Sequence, residues 1–405
     1  MLVPLLLAYG AQLAGPSGDW IIPAGTTVTY DTLAGAAHVN KLIIEPGAIL
    51  RITGPRPFVV FATQRIKIDG TLDASGFDGK NVFTLLTPNL PQAGALGAAG
   101  GGAGGTGSPL TDASDPKGGD GFAVLHPLGL VARGGAGGET GYSGSPLDQQ
   151  LRRGAGGGGG AFGPDVPDGG AGLVATAGGP GHPLGKGALS GGTSPAQGGQ
   201  PGRGAFLDAD PLNDFFGRKV DPLTGAVIVG ELAAPLPGAG GGAGGDSIDG
   251  DTFPTIPFGP PYKDRSGAGA GGGGGLVALL AREIELGAAG AVRVDGGNGA
   301  QGESSPTAFH LAGSSGGGSG GMLMLQAQRI DLSQAGADAL TALGGVGGID
   351  DGTQYLPASL SGGGNGGPGL IQLHVRDAAQ DLLLPVGLGL ADLSAPDGHV
   401  LLPAL

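Results

Sequence analysis

Runs of glycine that lead straight into alternating apolar strands constrain this chain more than any other feature. Between residues 267 and 345 one unit occurs twice. A glycine run gives way to a strand with an apolar residue at every second position, then a turn, a short second strand and another glycine run. Ala281, Ile284 and Leu286 of the first copy align with Ala327, Ile330 and Leu332 of the second, 46 residues on. A third copy lies upstream, where residues 61–68 lead into 70–76. Period-two alternation is the mark of a strand with one buried face. Self-similarity at a fixed interval is the mark of a stacked scaffold.

The glycine runs pose a separate question. The chain has 94 glycines and 32 prolines among 405 residues, a content that without a strict period ordinarily means disorder. Its apolar residues, 40% of the total, sit in alternating clusters, which argues for order. Fixed glycine loses more backbone entropy than any other residue, so ordered runs need dense contacts. Polyproline-II-like helices meet that need: they have three residues per turn and no internal hydrogen bonds. Laid side by side, they can bond amide to carbonyl and add Cα–H···O contacts. No Gly-X-Y period is present, so collagen is excluded. The runs are expected to form a packed layer resting on the strands at 276–286 and 322–332.

Five segments follow in chain order. Residues 1–19 are an apolar N-terminal stretch, too interrupted by Pro4, Gly10 and Pro16 for a membrane span. Residues 20–79 alternate with period two, with turns at 23–25, 46–47, 54–55 and 69–70. Sandwich, barrel and solenoid all suit short strands of this kind. The phrase from Leu42 to Gly54, strand–turn–strand, favours a right-handed parallel β-helix, an all-β solenoid with a glycine layer and long loops. Residues 80–266 carry glycine runs separated by loops rich in Pro, Asp, Leu and Ser, and residues 267–380 return to strands. The last segment, 381–405, is rich in leucine. It is expected either to close an end of the fold or to join subunits.

The formal charge of −14 and pI near 4.6 disfavour nucleic acid and anionic membrane, which attract a basic face. With no cysteine, disulfides and thiolate metal sites are excluded. None of the six histidines stands at metal spacing from another, and His374 reads as a solvent-facing strand position. Two aspartate clusters, Asp208, Asp210 and Asp214, and Asp246, Asp249 and Asp251, supply hard oxygen ligands of the type calcium takes. No EF-hand loop is present, and Asp beside Gly is ordinary turn chemistry. No other cofactor is indicated. Asp73 and Asp295 occupy corresponding turn ends. A carbohydrate-active enzyme would need such a carboxylate pair at a groove. Arg293 precedes Asp295 by two residues but Thr71 holds that place before Asp73, so turn formation explains both. No GK[ST] phosphate loop occurs.

Two phrases carry a resemblance. Residues 60–76, VFATQRIKIDGTLDASG, and 237–246, PGAGGGAGGD, resemble those of glycine-rich predicted bacterial surface proteins. That likeness implies a right-handed parallel β-helix and an extracellular place, and brings no catalytic residue. The runs alone are also similar to those of phage tail-tip adhesins with polyglycine-II sandwiches. The expectation is therefore a non-enzymatic structural protein at the cell surface or outside the cell, a filament subunit self-associating through its termini. A receptor-binding adhesin on a cell or virion, recognising a surface glycan or protein, is the alternative. A β-helix carbohydrate-active enzyme is the third reading.

Overall fold

A computed structural model describes residues 17–82, 92–107, 117–122, 124–125, 131–132, 134–139, 141–143, 155–162, 184–186, 195–196, 199–200, 202, 213–221, 223–232, 234–249, 266–303, 312–349 and 362–402. Fourteen strands make two parallel sheets. They are β1 (Ser17–Ile22), β2 (Thr27–Asp31), β3 (Ala37–Ile44), β4 (Ile49–Thr53), β5 (Phe58–Ile68), β6 (Thr71–Asp73), β7 (Leu276–Leu286), β8 (Ala291–Arg293), β9 (Met322–Asp331), β10 (Leu340–Thr341), β11 (Leu370–His374), β12 (Leu382–Leu383), β13 (Ser394–Ala395) and β14 (His399–Leu401). The larger sheet runs β1-β3-β5-β7-β9-β11-β14, with β12 beside β9, and the smaller runs β2-β4-β6-β8-β10-β13.

This corrects the all-β, right-handed parallel β-helix that the sequence predicts. Among the described residues the strands lie in two separate parallel sheets, of eight and six strands, with no closed solenoid. The description all-β is not established either. A helical turn at Ala378–Asp381 precedes β12, and the described glycine runs belong to neither sheet nor helix. The error has a physical source. Period-two alternation marks which residues face a core, but two facing parallel sheets need the same alternation as a closed coil.

The aligned copies do lie side by side. Ile284 of β7 is opposite Ile330 of β9 on one side and Ile66 of β5 on the other. Their inward faces join Leu50, Ile52, Leu72, Val292 and Leu340 of the smaller sheet in one apolar core. The opposite face of the larger sheet is buried as well. There Val59, Leu276, Ala278, Met322, Met324 and Leu370 pack with Phe162, Leu232 and Leu236 from the glycine-rich middle of the chain. A sheet covered on both faces explains why β7 and β9 open on unbroken apolar runs before alternating.

The glycine runs form a layer bonded through the main chain. In run 238–245, Gly238, Gly241 and Gly244 donate to Gly274, Gly271 and Ala268; Gly242 and Gly245 to Gly158 and Ala155; Gly240 and Ala243 to Phe122 and Gly119. The same run accepts from Gly102 and Gly105, from Gly135 and Gly138, and from Gly313, Gly316 and Ser319. Each neighbour is reached by every third residue, the step that three residues per turn dictates. Three neighbours receive and three donate, so the run is enclosed on all sides. Run 312–321 is enclosed in the same way. It donates to residues 239–245, 294–300 and 364–367, and accepts from 157–160, 268–274 and 345–348. Gly275, Gly321 and Gly369 then pass directly into β7, β9 and β11, which ties the layer to the sheet.

Candidate functional site

Of the aspartates proposed for calcium, Asp208, Asp210 and Asp251 lie outside the described residues, and of Asp249 only the backbone is described, in a short strand paired with Gly141–Ser143. Asp246 is fully buried, and its Oδ1 accepts from the Gly267 amide at 2.7 Å. It caps the first turn of a glycine run, beside Glu303, whose Oε2 accepts from the Ser266 amide at 3.1 Å. Asp214 sits next to Phe215, which is buried with its ring 5.9 Å from that of His399 in β14. Among the described residues no three His, Asp or Glu side chains gather as metal ligands.

Asp73 and Asp295 are engaged in the scaffold. Asp73 pairs with Arg51 and accepts from the Ser75 amide at 3.0 Å. Asp295 accepts from the Leu343 amide at 2.7 Å and from the Thr341 hydroxyl at 2.8 Å. Burial pushes the Asp295 carboxyl up, while those two hydrogen bonds and Arg293 pull it down. A ladder continues from this pair. Ser75, Asp78 and Asn81 accept from the amides of Asp295, Asn298 and Gln301, and Asn298 in turn accepts from Val346. The side chains recur every third residue because only one residue per turn faces the next run. Sequence reasoning missed this ladder, although the spacing 75, 78, 81 against 295, 298, 301 was there to read. It also missed the interior serines. Ser319 Oγ accepts from the Ala239 amide at 2.8 Å and donates to the Ala161 carbonyl at 3.0 Å, joining two runs.

His374 is wholly buried, not solvent-facing as its strand position suggests. It lies between Gln326 of β9 and Leu401 of β14, and its Nδ1 is 3.0 Å from the Leu402 carbonyl oxygen. Its Nε2, Gln326 Oε1 and Gln372 Oε1 are buried without a hydrogen-bond partner among the described residues. A buried water donating to such acceptors is the ordinary solution. Desolvation holds the His374 imidazole below the usual histidine range, against the hydrogen bond to Leu402. Burial and then Lys219 do the same for His399. On unfolding both return to about 6.5, so the unfolded chain takes up protons first. Stability should be full above about pH 6.5 and fall as the pH drops toward the folded values, by up to ~1.4 kcal/mol per pH unit for each histidine. Urea titrations across this range check it. His374→Gln should flatten part of the slope, and an unchanged slope would contradict the assignment.

An open cleft of about 370 Å³ lies on the larger sheet, lined by His38, Asn40, Phe61, Thr63, Leu280 and Arg282 among others. It sits at an irregularity in three strands. Val39 pairs with Ala62 and Lys41 with Arg65; Leu280 pairs with Phe61 and Glu283 with Arg65. Between these rungs β5 spends one residue more than either neighbour. Such a bulge re-aims side chains. The His38 and Phe61 rings stack, with centroids 4.9 Å apart and planes at 20°.

Comparison with family models, with curated proteins and with solved structures finds no match for the chain. Its function therefore rests on the geometry alone.

Proposed function

We propose that this chain is a non-enzymatic structural subunit of an extracellular or cell-surface assembly, associating end to end with further copies of itself. The enclosed glycine array carries the reading. Its main-chain amides and carbonyls are spent on one another, and the carboxylates at its margin cap run ends and ladders. That arrangement suits a rigid block better than a reaction centre. Among the described residues β1 pairs with β3 alone, and Ile21 on it is 48% exposed. A parallel sheet offers edges of complementary direction at its two sides, so an edge-to-edge contact between copies can propagate without closing.

Light scattering and electron microscopy of the purified chain test this. Concentration-dependent linear oligomers are expected, and Ile21→Lys should abolish them while leaving the circular dichroism unchanged. A monomer at every concentration, or oligomers indifferent to that substitution, would sink the reading.

A second reading, a receptor-binding adhesin, is favoured by one feature. The hairpin of Arg218–Val220 with Val227–Val229 presents Leu223, Val227 and Val229 at 93%, 57% and 62% exposure. Replacing residues 221–226 with a polar turn should abolish attachment to a target surface and spare the fold; attachment that survives the exchange counts against recognition by this hairpin. The sequence also offers the loops 208–219 and 252–265 for recognition; of these, residues 208–212 and 252–265 lie outside the described residues.

A further inference from the structure

We propose that the cleft at the β5 bulge binds an acidic monosaccharide unit, a pyranose carrying a carboxylate. The site is distinct from the glycine array and goes beyond the scaffold role. Its floor and walls are set by rigid elements: β3, β5 and β7 are adjacent strands of the larger sheet. The stacked pair of His38 and Phe61, continued by Leu280, gives one flat apolar wall. The C–H face of a sugar ring packs on such a wall, and aromatic rings do this with little conformational entropy to lose. Asn40 and Thr63 add an amide and a hydroxyl. Together they offer donors and acceptors to neighbouring sugar hydroxyls. Their own contact, Thr63 Oγ1 to Asn40 Oδ1 at 3.4 Å, is long, so it is readily exchanged for a bond to a ligand.

Arg282 decides the ligand's charge. Neighbouring acidic groups are already engaged: Glu283 faces Arg329 at 3.8 Å and Glu285 holds Lys67 at 2.8 Å. Among the described residues Arg282 has no carboxylate partner. It is exposed at the cleft and is the only charged side chain among the cleft-lining residues described. A guanidinium fork matches a carboxylate bidentately. On a chain of net charge −14, this guanidinium gives the cleft a preference for an anionic group. The volume of about 370 Å³ lies near the lower end of small-molecule sites, ~300–1,000 Å³, which suits a single ring unit of a longer polymer.

Saturation-transfer NMR on the full chain tests the proposal with four probes: D-glucuronate, its methyl ester, D-glucose and inorganic phosphate. Glucuronate should bind about tenfold more tightly than the ester or glucose, the size of one charge-assisted hydrogen-bonded contact. Arg282→Gln should erase that difference. His38→Ala and Asn40→Ala, at exposed positions that leave the core intact, should weaken all three sugars about threefold, a loss on the scale of a single aromatic or hydrogen-bonding contact. Arg329→Gln, at an ion-paired surface arginine, should change nothing. Equal affinity for glucuronate and its ester, no saturation transfer to any sugar, full binding by the Arg282→Gln variant, or phosphate binding as tightly as glucuronate would each overturn the assignment.

Discussion

Replacing Gly316 by valine should leave no folded protein. A Cβ at this position would overlap the carbonyl of Gly158, and one at Gly241 would overlap the carbonyl of Gly316. The obstacle is main chain, held in place by bonds of its own to further runs. Ordinary overpacking costs ~1–3 kcal/mol because side chains move aside; here none is available to move. Even Gly316→Ala should exceed that range, and the valine variant should consume the whole ~5–15 kcal/mol of a typical domain. Gly336→Ala is the control. That glycine is exposed, with nothing nearer to a built Cβ than 3.5 Å, so its stability should stay within ~0.5 kcal/mol of the parent. Circular dichroism and urea titration of the three variants read this directly, and a folded Gly316→Val protein would reduce the runs to spacers.

Truncation before residue 381 should be nearly as damaging. The sequence leaves open whether the leucine-rich end closes the fold or joins subunits. In the structure it supplies β12 to β9, β13 to β10 and β14 to β11. Leu393 is buried in the central core, Leu382, Leu390 and Val400 pack against it, and Leu401 is buried as well. Removing these strands would uncover Leu340, Ile371 and Leu373 and leave raw parallel edges on both sheets, a combination that favours aggregation. The expected product is insoluble or lacks a cooperative unfolding transition. A soluble, cooperatively folding truncated monomer would show that the two sheets are complete without it.

What could be read in the sequence, and what could not, follows from which signals are local. Ile66, Ile284 and Ile330 could be aligned because apolar alternation repeats around each of them. That Ile66 sits directly beside Ile284, across the whole glycine-rich middle, is a pairing no local pattern encodes. The alternation at Leu42–Ile44 and Leu50–Ile52 identified strands but left their closure open, and the β-helix expectation failed there. His374 reads as exposed only if β11 has a bare outer face; Gln372 bonding the Phe216 carbonyl at 3.2 Å shows that face covered by residues 213–218. In the array, which glycine is interior depends on which runs are neighbours, and identical residues carry no address. The polar ladder does carry one: Asp78, Asn81, Asn298 and Gln301 stand every third residue, at the margin where one run must satisfy the next. Aspartates such as Asp246 and Asp295, read as possible ligands or catalytic groups, belong to that same capping chemistry.

The central claim is that the glycine runs are the packed interior of a scaffold. Amide hydrogen exchange measures it most directly, since each amide reports the opening that frees it. The amides of Gly241, Gly271 and Gly316 should exchange as slowly as those of Leu325 in β9, opening only with global unfolding. Exchange of these glycines at the rate of Gly387, where a side chain would meet nothing within 4 Å, would contradict the account.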